Sequence, residues 1–232
     1  MSKDPKLQRM QQTEDQELLK PPLPGAEFTR SDTWRVLRIQ SEIVSGFDHL
    51  AGISNGVAVF GSARTPVEHP YYQLALKTGR ELARAGLAVI TGGGPGIMQA
   101  ANQGAREEGG LSIGCCIELP FEQEANPYLD IKIDFHYFFV RKLMLVKYSR
   151  AFIIMPGGFG TIDELFEALT LTQTKKMKRF PVILMGKSYW QGLIDWLRDY
   201  MLEQEMISPE DLELMYMTDS PQEAVEIIKK TI

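Results

Sequence analysis

The sequence predicts an α/β fold, Rossmann-like, with a mostly parallel sheet and helices on both faces. Two observations predict it. Short unbroken apolar runs alternate with stretches of helical spacing, and three of those runs end in glycine turns, at Gly61, Gly92 and Gly157. Continuous apolar runs mark strands buried on both faces, as parallel sheets require. In such sheets ligands sit beyond the carboxyl ends of the strands, where strand order reverses. The three turns are therefore expected to open on one edge.

Residues 1–25 are polar and then proline-rich (Pro21-Pro22-Leu23-Pro24), which reads as a disordered or loosely docked tail before a single domain over residues 26–232. Ser31-Asp32 resembles a helix cap, and Trp34, Leu37, Ile39, Ile43, Val44 and Phe47 cover one side of a helix to Leu50. A first strand, residues 56–61, precedes a helix over residues 69–85 that Gly86 ends. A second strand, residues 87–91, runs into Gly92-Gly93-Gly94-Pro95-Gly96-Ile97-Met98 and a helix to Glu108. Residues 111–117 read as the third strand, residues 118–128 as a loop, and the alternating residues 131–135 as an exposed fourth strand. Helical spacing returns over residues 138–148 with Arg141 and Lys142 inside it, and residues 151–155 form the fifth strand. A helix over residues 161–174, a strand at 180–184, an amphipathic helix at 189–204, a short segment at 214–217 and a helix at 221–229 complete the order.

The stretch that carries chemistry is Ala151 to Glu164, an apolar strand followed by Pro156-Gly157-Gly158-Phe159-Gly160-Thr161-Ile162-Asp163-Glu164. Three glycines in four positions let a ligand approach the backbone with no Cβ in the way. Free N–H groups and the helix dipole at a helix start attract an anion, most often phosphate. Asp163 and Glu164 are expected beside that anion, in the first turn. A competing assignment makes Thr161-x-x-Glu164 a capping box, in which the carboxylate only satisfies the helix end. The turn at Gly92 is not the G-x-G-x-x-G dinucleotide fingerprint, because Ile97 holds the third glycine position, and no Gly-Lys-Ser/Thr ending marks a P-loop.

Composition narrows the classes. A net charge of -5 and a pI near 5.4 argue against a duplex nucleic-acid partner. Cys115 and Cys116 are adjacent in an apolar run and offer neither a disulfide framework nor a zinc site, which suits a reducing cytoplasm. No apolar stretch reaches the ~18 residues of a membrane span, and the amino terminus lacks a signal-peptide core. His49, His69 and His136 stand in unrelated contexts, so no metal site is expected.

Taken together, Gly92 to Met98 and the Pro156 to Glu164 motif resemble the LOG (Lonely Guy) family of cytokinin riboside 5′-monophosphate phosphoribohydrolases, long labelled "lysine decarboxylase". Phe60-Gly61-Ser62-Ala63-Arg64 and the Arg141-Lys142 pair fit the same family. The resemblance covers residues 56–232. The N-terminal extension and the Leu119-Pro120-Phe121-Glu122-Gln123 loop depart from its compact form and look like the longer bacterial members. The resemblance implies a homodimeric enzyme without metal or cofactor, which hydrolyses the N-glycosidic bond of a nucleoside 5′-monophosphate to free base and ribose 5-phosphate. The decarboxylase label finds no support, since that chemistry needs a pyridoxal Schiff-base lysine and no lysine lies in a glycine turn.

The resemblance carries the catalytic Glu onto Glu164 and the catalytic Arg onto Arg141. Glycoside cleavage builds positive charge at C1′, which a carboxylate stabilises, and negative charge on the leaving base, which a cation meets. Gly157, Gly158, Gly160 and Thr161 are expected to hold the phosphate, with Gly93, Gly94, Gly96 and Met98 lining the same pocket. Ser62 and Arg64 either reach the nucleotide or form a simple loop. Lys142 is either a second nucleotide contact or a solvated neighbour. Asp163 is expected as a dipole partner or ribose contact, and Glu122 and Asn126 in a loop folding over the base. The alternative function is a nucleotide-binding or sensing protein without catalysis.

Overall fold

The computed structural model describes residues 13–20, 32–119, 124–177 and 180–231. Among them, seven strands form one parallel sheet: β1 (Gly56–Phe60), β2 (Ala88–Thr91), β3 (Ser112–Ile117), β4 (Ile131–Phe135), β5 (Ser149–Ile154), β6 (Val182–Met185) and β7 (Met215–Thr218). Their spatial order is β4-β3-β2-β1-β5-β6-β7. The chain lays down β1 to β4 outward in one direction, then returns to place β5 on the free side of β1, with Phe60 level with Ile154. The order reverses between β1 and β5, so the crevice beyond those two strand ends is the expected ligand position.

The helices are α1 (Glu14–Leu18), α2 (Asp32–Leu50), α3 (Pro70–Arg84), α4 (Ile97–Glu107), α5 (Phe138–Lys147), α6 (Phe159–Gln173), α7 (Lys187–Trp196), α8 (Pro209–Leu212) and α9 (Pro221–Thr231). The alternating residues of β1 divide the interior. Ala58 and Phe60 face a core built with α2, α5, α6 and α7, while Val57 and Val59 face one built with α3, α4 and α9. This is the two-sided cover that the apolar runs require.

Local signals account for both ends of α3. His69 caps α3 through Nδ1, which accepts from Tyr71 N at 3.1 Å, Pro70 occupies the first helical position, and Gly86 follows the helix at φ +75°. β4 is an edge strand, and its alternation of buried and exposed residues reflects that place.

Three findings differ from the sequence reading. Residues 13–20 of the expected tail form a capped helical turn, α1, docked on the start of α5. The amphipathic stretch after β6 ends in a π-helical turn, Leu197–Leu202. Helix α6 begins at Phe159 with Gly158 as its N-cap, two residues ahead of expectation, and makes no side-chain cap bond. Thr161 is thus its third residue and Glu164 its sixth. The Thr161-x-x-Glu164 capping box does not exist, because a carboxylate in the second turn lies beyond the helix's unpaired N–H groups.

Candidate functional site

The carboxyl ends of β1 and β5 open into a cleft of about 770 Å³. Three segments build its floor: Phe60 to Arg64 after β1, Gly92 after β2, and Gly157 to Glu164 after β5. Met98 from α4, Phe138 and Arg141 from α5, and Tyr189 from α7 close its sides. The first loop is tied to the third and to α4. Ser62 N donates to Pro156 O at 3.0 Å, and Ile97 N donates to Ser62 O at 3.0 Å.

At the start of α6, Thr161 N and Ile162 N both turn back to Gly158 O, at 3.0 and 3.1 Å. The N–H groups of Phe159 and Gly160 precede the first intrahelical bonds, as at any helix start. A Cβ at Gly158 or Gly160 would meet nothing within 4 Å, so these glycines leave open space at the helix N-terminus. Gly157 differs, because a Cβ there would collide with the Thr161 side chain and lie 3.0 Å from Ser62 N. The open N-terminus is what an oxyanion such as a phosphate requires.

Glu164 projects from the second turn of α6 and is only 5 % exposed. Its Oε2 has no hydrogen-bond partner. Burial is the largest influence on its carboxyl and pushes the pKa up to about 7, against the opposing charges of Lys142 and Arg141. Most buried polar groups are paired, so an unpaired carboxylate at a cleft wall, titrating near neutrality, has the character of an acid–base group.

Arg141 faces it from α5. Its Nε donates to Cys115 O at 2.8 Å, and the guanidinium carbon lies 6.0 Å from the Phe138 ring centroid. Burial lowers its pKa, and the Glu164 charge draws it back up. Gly92 makes room for it, since a Cβ there would collide with Nη2 and lie 2.8 Å from Met98 Sδ.

Of the residues expected at the site, Ser62, Arg64, Met98, Arg141, Gly157, Gly158, Gly160, Thr161 and Glu164 line this one cleft, with Asp163 beside them. Five others, Gly93, Gly94, Gly96, Asn126 and Lys142, stand elsewhere. Gly93, at φ +71°, turns the chain away, and with Gly94 it lines a separate recess of about 60 Å³ beside Cys116, Lys132 and Asp134. Buried polar side chains pin that turn. Gly93 N donates to Thr91 Oγ1 at 2.9 Å, Asn126 N donates to Gly93 O at 2.8 Å, and Asn126 Nδ2 donates to Gly94 O at 3.1 Å. Asn126 is therefore a buried strut of the glycine turn, while Glu122 lies outside the described residues. Gly96 serves packing, because a Cβ there would collide with Ser62 O.

Lys142 is also a strut. Its Nζ is 3.0 Å from Asp163 Oδ2 and 2.9 Å from Glu167 Oε2, tying α5 to α6. Burial works against its charge, but the bonds it donates to Glu167 and Asp163 outweigh it and raise the pKa.

Two lining residues outside the glycine motifs, Phe138 and Tyr189, are not singled out by the sequence. Tyr189 OH donates to Gly157 O at 2.7 Å, a contact across 32 residues that no local pattern announces. Among the described residues, no cluster of three His, Cys, Asp or Glu side chains is placed to hold a metal ion, and no helix is long and apolar enough to cross a membrane.

Comparison with known proteins identifies relatives of the chain. A family model described as "Possible lysine decarboxylase" matches residues 98–228. The cytokinin riboside 5′-monophosphate phosphoribohydrolase of Mycobacterium tuberculosis is 30% identical over 171 residues, covering 73% of this chain and 90% of that protein. The X-ray structure of a structural-genomics target is 27% identical with a TM-score of 0.59, covering 76% of this chain and 99% of that one. The molybdenum cofactor binding protein of the phototrophic bacterium Rippkaea orientalis is 29% identical with a TM-score of 0.53, covering 75% and 94%. Both motifs, the strand order and these relatives lead to one conclusion: the chain belongs to the LOG family, the cytokinin riboside 5′-monophosphate phosphoribohydrolases, whose sequence model keeps the older lysine decarboxylase label.

Proposed function

We propose that this protein hydrolyses the N-glycosidic bond of a purine nucleoside 5′-monophosphate, AMP or a cytokinin riboside 5′-monophosphate, releasing free base and ribose 5-phosphate. The observation that carries the reading is Glu164, a buried carboxylate with an unpartnered oxygen, in one cleft with the Arg141 guanidinium and an open helix N-terminus. The N–H groups of Phe159 and Gly160 take the 5′-phosphate, with Thr161 beside them and Ser62 and Arg64 on the facing loop. The ribose then lies against the second turn of α6, where Glu164 stands.

In the reaction the C1′–N bond breaks and its electron pair goes to the base, leaving positive charge on the sugar. The Glu164 carboxylate stabilises that charge and accepts a proton from the water whose oxygen bonds to C1′. The Arg141 guanidinium meets the negative charge on the departing base, which then takes up the proton that Glu164 received from the water. A pKa near 7 leaves Glu164 able both to take up and to release a proton at neutral pH. Neither a metal ion nor a cofactor enters this scheme. We place the enzyme in the cytoplasm, as a homodimer.

A second reading, binding without turnover, draws on the kinship with the molybdenum cofactor binding protein. It uses the same cleft and the same N–H groups but leaves the cost of burying Glu164 without a purpose. Incubation with AMP decides between them. Free adenine together with ribose 5-phosphate is expected, and bound but intact AMP would favour the carrier. A ribose 5-phosphate adduct with another acceptor would indicate transfer. AMP should also be cleaved far faster than adenosine, because phosphate binding energy is spent at the reacting centre. Equal turnover of the two would remove the phosphate role of the glycine turn.

A further inference from the structure

Helix α5 carries Arg141 but has no cap of its own. Tyr137 occupies its N-cap position, and the Tyr137 side chain makes no cap bond. The N–H groups at this helix start are nevertheless taken, by carboxylates from the N-terminal helices that precede β1. Glu42 of α2 accepts from His136 N through Oε2 at 3.0 Å and from Tyr137 N through Oε1 at 3.1 Å. Asp15 of α1 accepts from Phe138 N through Oδ2 at 3.1 Å.

Side chains fasten the same junction. Tyr137 OH donates to Glu14 Oε2 at 3.1 Å, Arg38 Nη2 lies 3.5 Å from that oxygen, and His136 Nδ1 lies 2.9 Å from Glu42 Oε2. A five-residue helix has no stability alone. α1 is held by these bonds and by its own capping box, in which Gln16 N donates to Thr13 Oγ1 and Thr13 N donates to Gln16 Oε1.

This junction leads directly to the cleft. Arg141 N donates to Tyr137 O at 3.2 Å, closing the first turn of α5 on the residue whose N–H Glu42 holds. Phe138, whose N–H Asp15 holds, lines the cleft beneath the Arg141 guanidinium. Two carboxylates at the positive end of the helix also complement its dipole.

We propose that Asp15 and Glu42 are positioning residues for Arg141, so that the N-terminal helices act as an intramolecular clamp on the first turn of α5. The proposal rests on the catalytic reading of Arg141 given above. If the clamp loosens, Arg141 and Phe138 lose their fixed place at the leaving base, while the phosphate cradle on α6 is untouched. Turnover should suffer and substrate binding should not.

The test uses the full chain with Asp15→Ala, Asp15→Asn and Glu42→Ala, measuring steady-state cleavage of AMP and hydrogen exchange at residues 136–141. Both alanine variants should lower kcat about three- to thirtyfold, keep KM within about twofold, and speed exchange at the start of α5. Asp15→Asn should recover most of kcat, because an asparagine oxygen accepts the same N–H bond. Should Glu42→Ala fail to fold, Glu42→Gln, which keeps one acceptor oxygen, takes its place with a smaller loss of kcat. Folded alanine variants with unchanged kcat and unchanged exchange would overturn the proposal, as would a loss expressed only in KM. If the wild-type protein leaves AMP intact, the hydrolase reading fails by itself. Exchange then decides the clamp alone: acceleration supports it and no change refutes it.

Discussion

In the proposed hydrolysis Glu164 is the base, and its titration governs the reaction. Its pKa of about 7 stands above the ordinary 4.5 because burial outweighs the nearby cations. As the base must be ionised, kcat/KM for AMP is expected to rise with pH through about 7 and then level off. Glu164→Gln should abolish that limb and lower turnover by roughly 10²–10⁴, which a pH series with product detection checks. The same shift bears on stability. Between about pH 4.5 and 7 the folded chain holds a proton that the unfolded chain has released. The favourable contribution is complete below 4.5 and is lost as pH rises to 7, by up to roughly 3 kcal/mol. Glu164→Gln should therefore gain stability over wild type at pH 8 and not at pH 4.5, in urea melts at the two values. Gly92→Ala tests the other half of the pair. A Cβ there would displace the Arg141 guanidinium, so turnover should fall about tenfold or more, as misplacement of a catalytic group by an ångström can cost a hundredfold.

At the scale of the element, the start of α6 separates two kinds of glycine. At Gly157 a Cβ would collide with Thr161 and crowd Ser62, so Gly157→Ala should cost stability, by about 1–3 kcal/mol for an overpacked site. Gly158 and Gly160 face open space. Their alanine variants should fold normally, and Gly160→Ala should gain up to about 1 kcal/mol of helix propensity. Both should still raise KM for AMP, because the added methyl enters the cradle. Thermal melts beside steady-state kinetics distinguish the three. The Pro156 to Glu164 motif was legible as a strand–turn–helix, yet its helix start was misread. Thr161 and Glu164 have capping-box spacing, but the backbone bonds from Thr161 and Ile162 to Gly158 O begin the helix earlier. Spacing alone cannot tell a cap from the interior of a helix that starts on glycine.

At the scale of the molecule, α5 and the start of α6 present Phe138, Phe139, Leu143 and a 93 % exposed Phe159. Exposed apolar side chains of this kind suit the proposed homodimer interface, and most homo-oligomers close on a two-fold axis. Light scattering is expected to give twice the chain mass of 26.2 kDa. Phe139→Glu combined with Leu143→Glu should give a folded monomer, and a wild-type monomer at working concentration would contradict the assembly.

The succession of strands along the chain, the three glycine turns and the meeting of Arg141 and Glu164 in one cleft were legible in the chain. They rest on local signals: unbroken apolar runs for strands buried on both faces, and glycine where backbone must stay bare. Tertiary structure decided which glycines face the cleft. Neighbouring residues of one turn point to different sides, so Gly92 meets Arg141 while Gly93 and Gly94 close a separate recess. It also made Lys142 a strut, through Asp163 and Glu167 on a different helix. The docking of α1 lay furthest from sequence reasoning. Asp15 and Phe138 are 123 residues apart, and a carboxylate in a polar segment reveals its partner only when folding brings an uncapped helix end within reach of it.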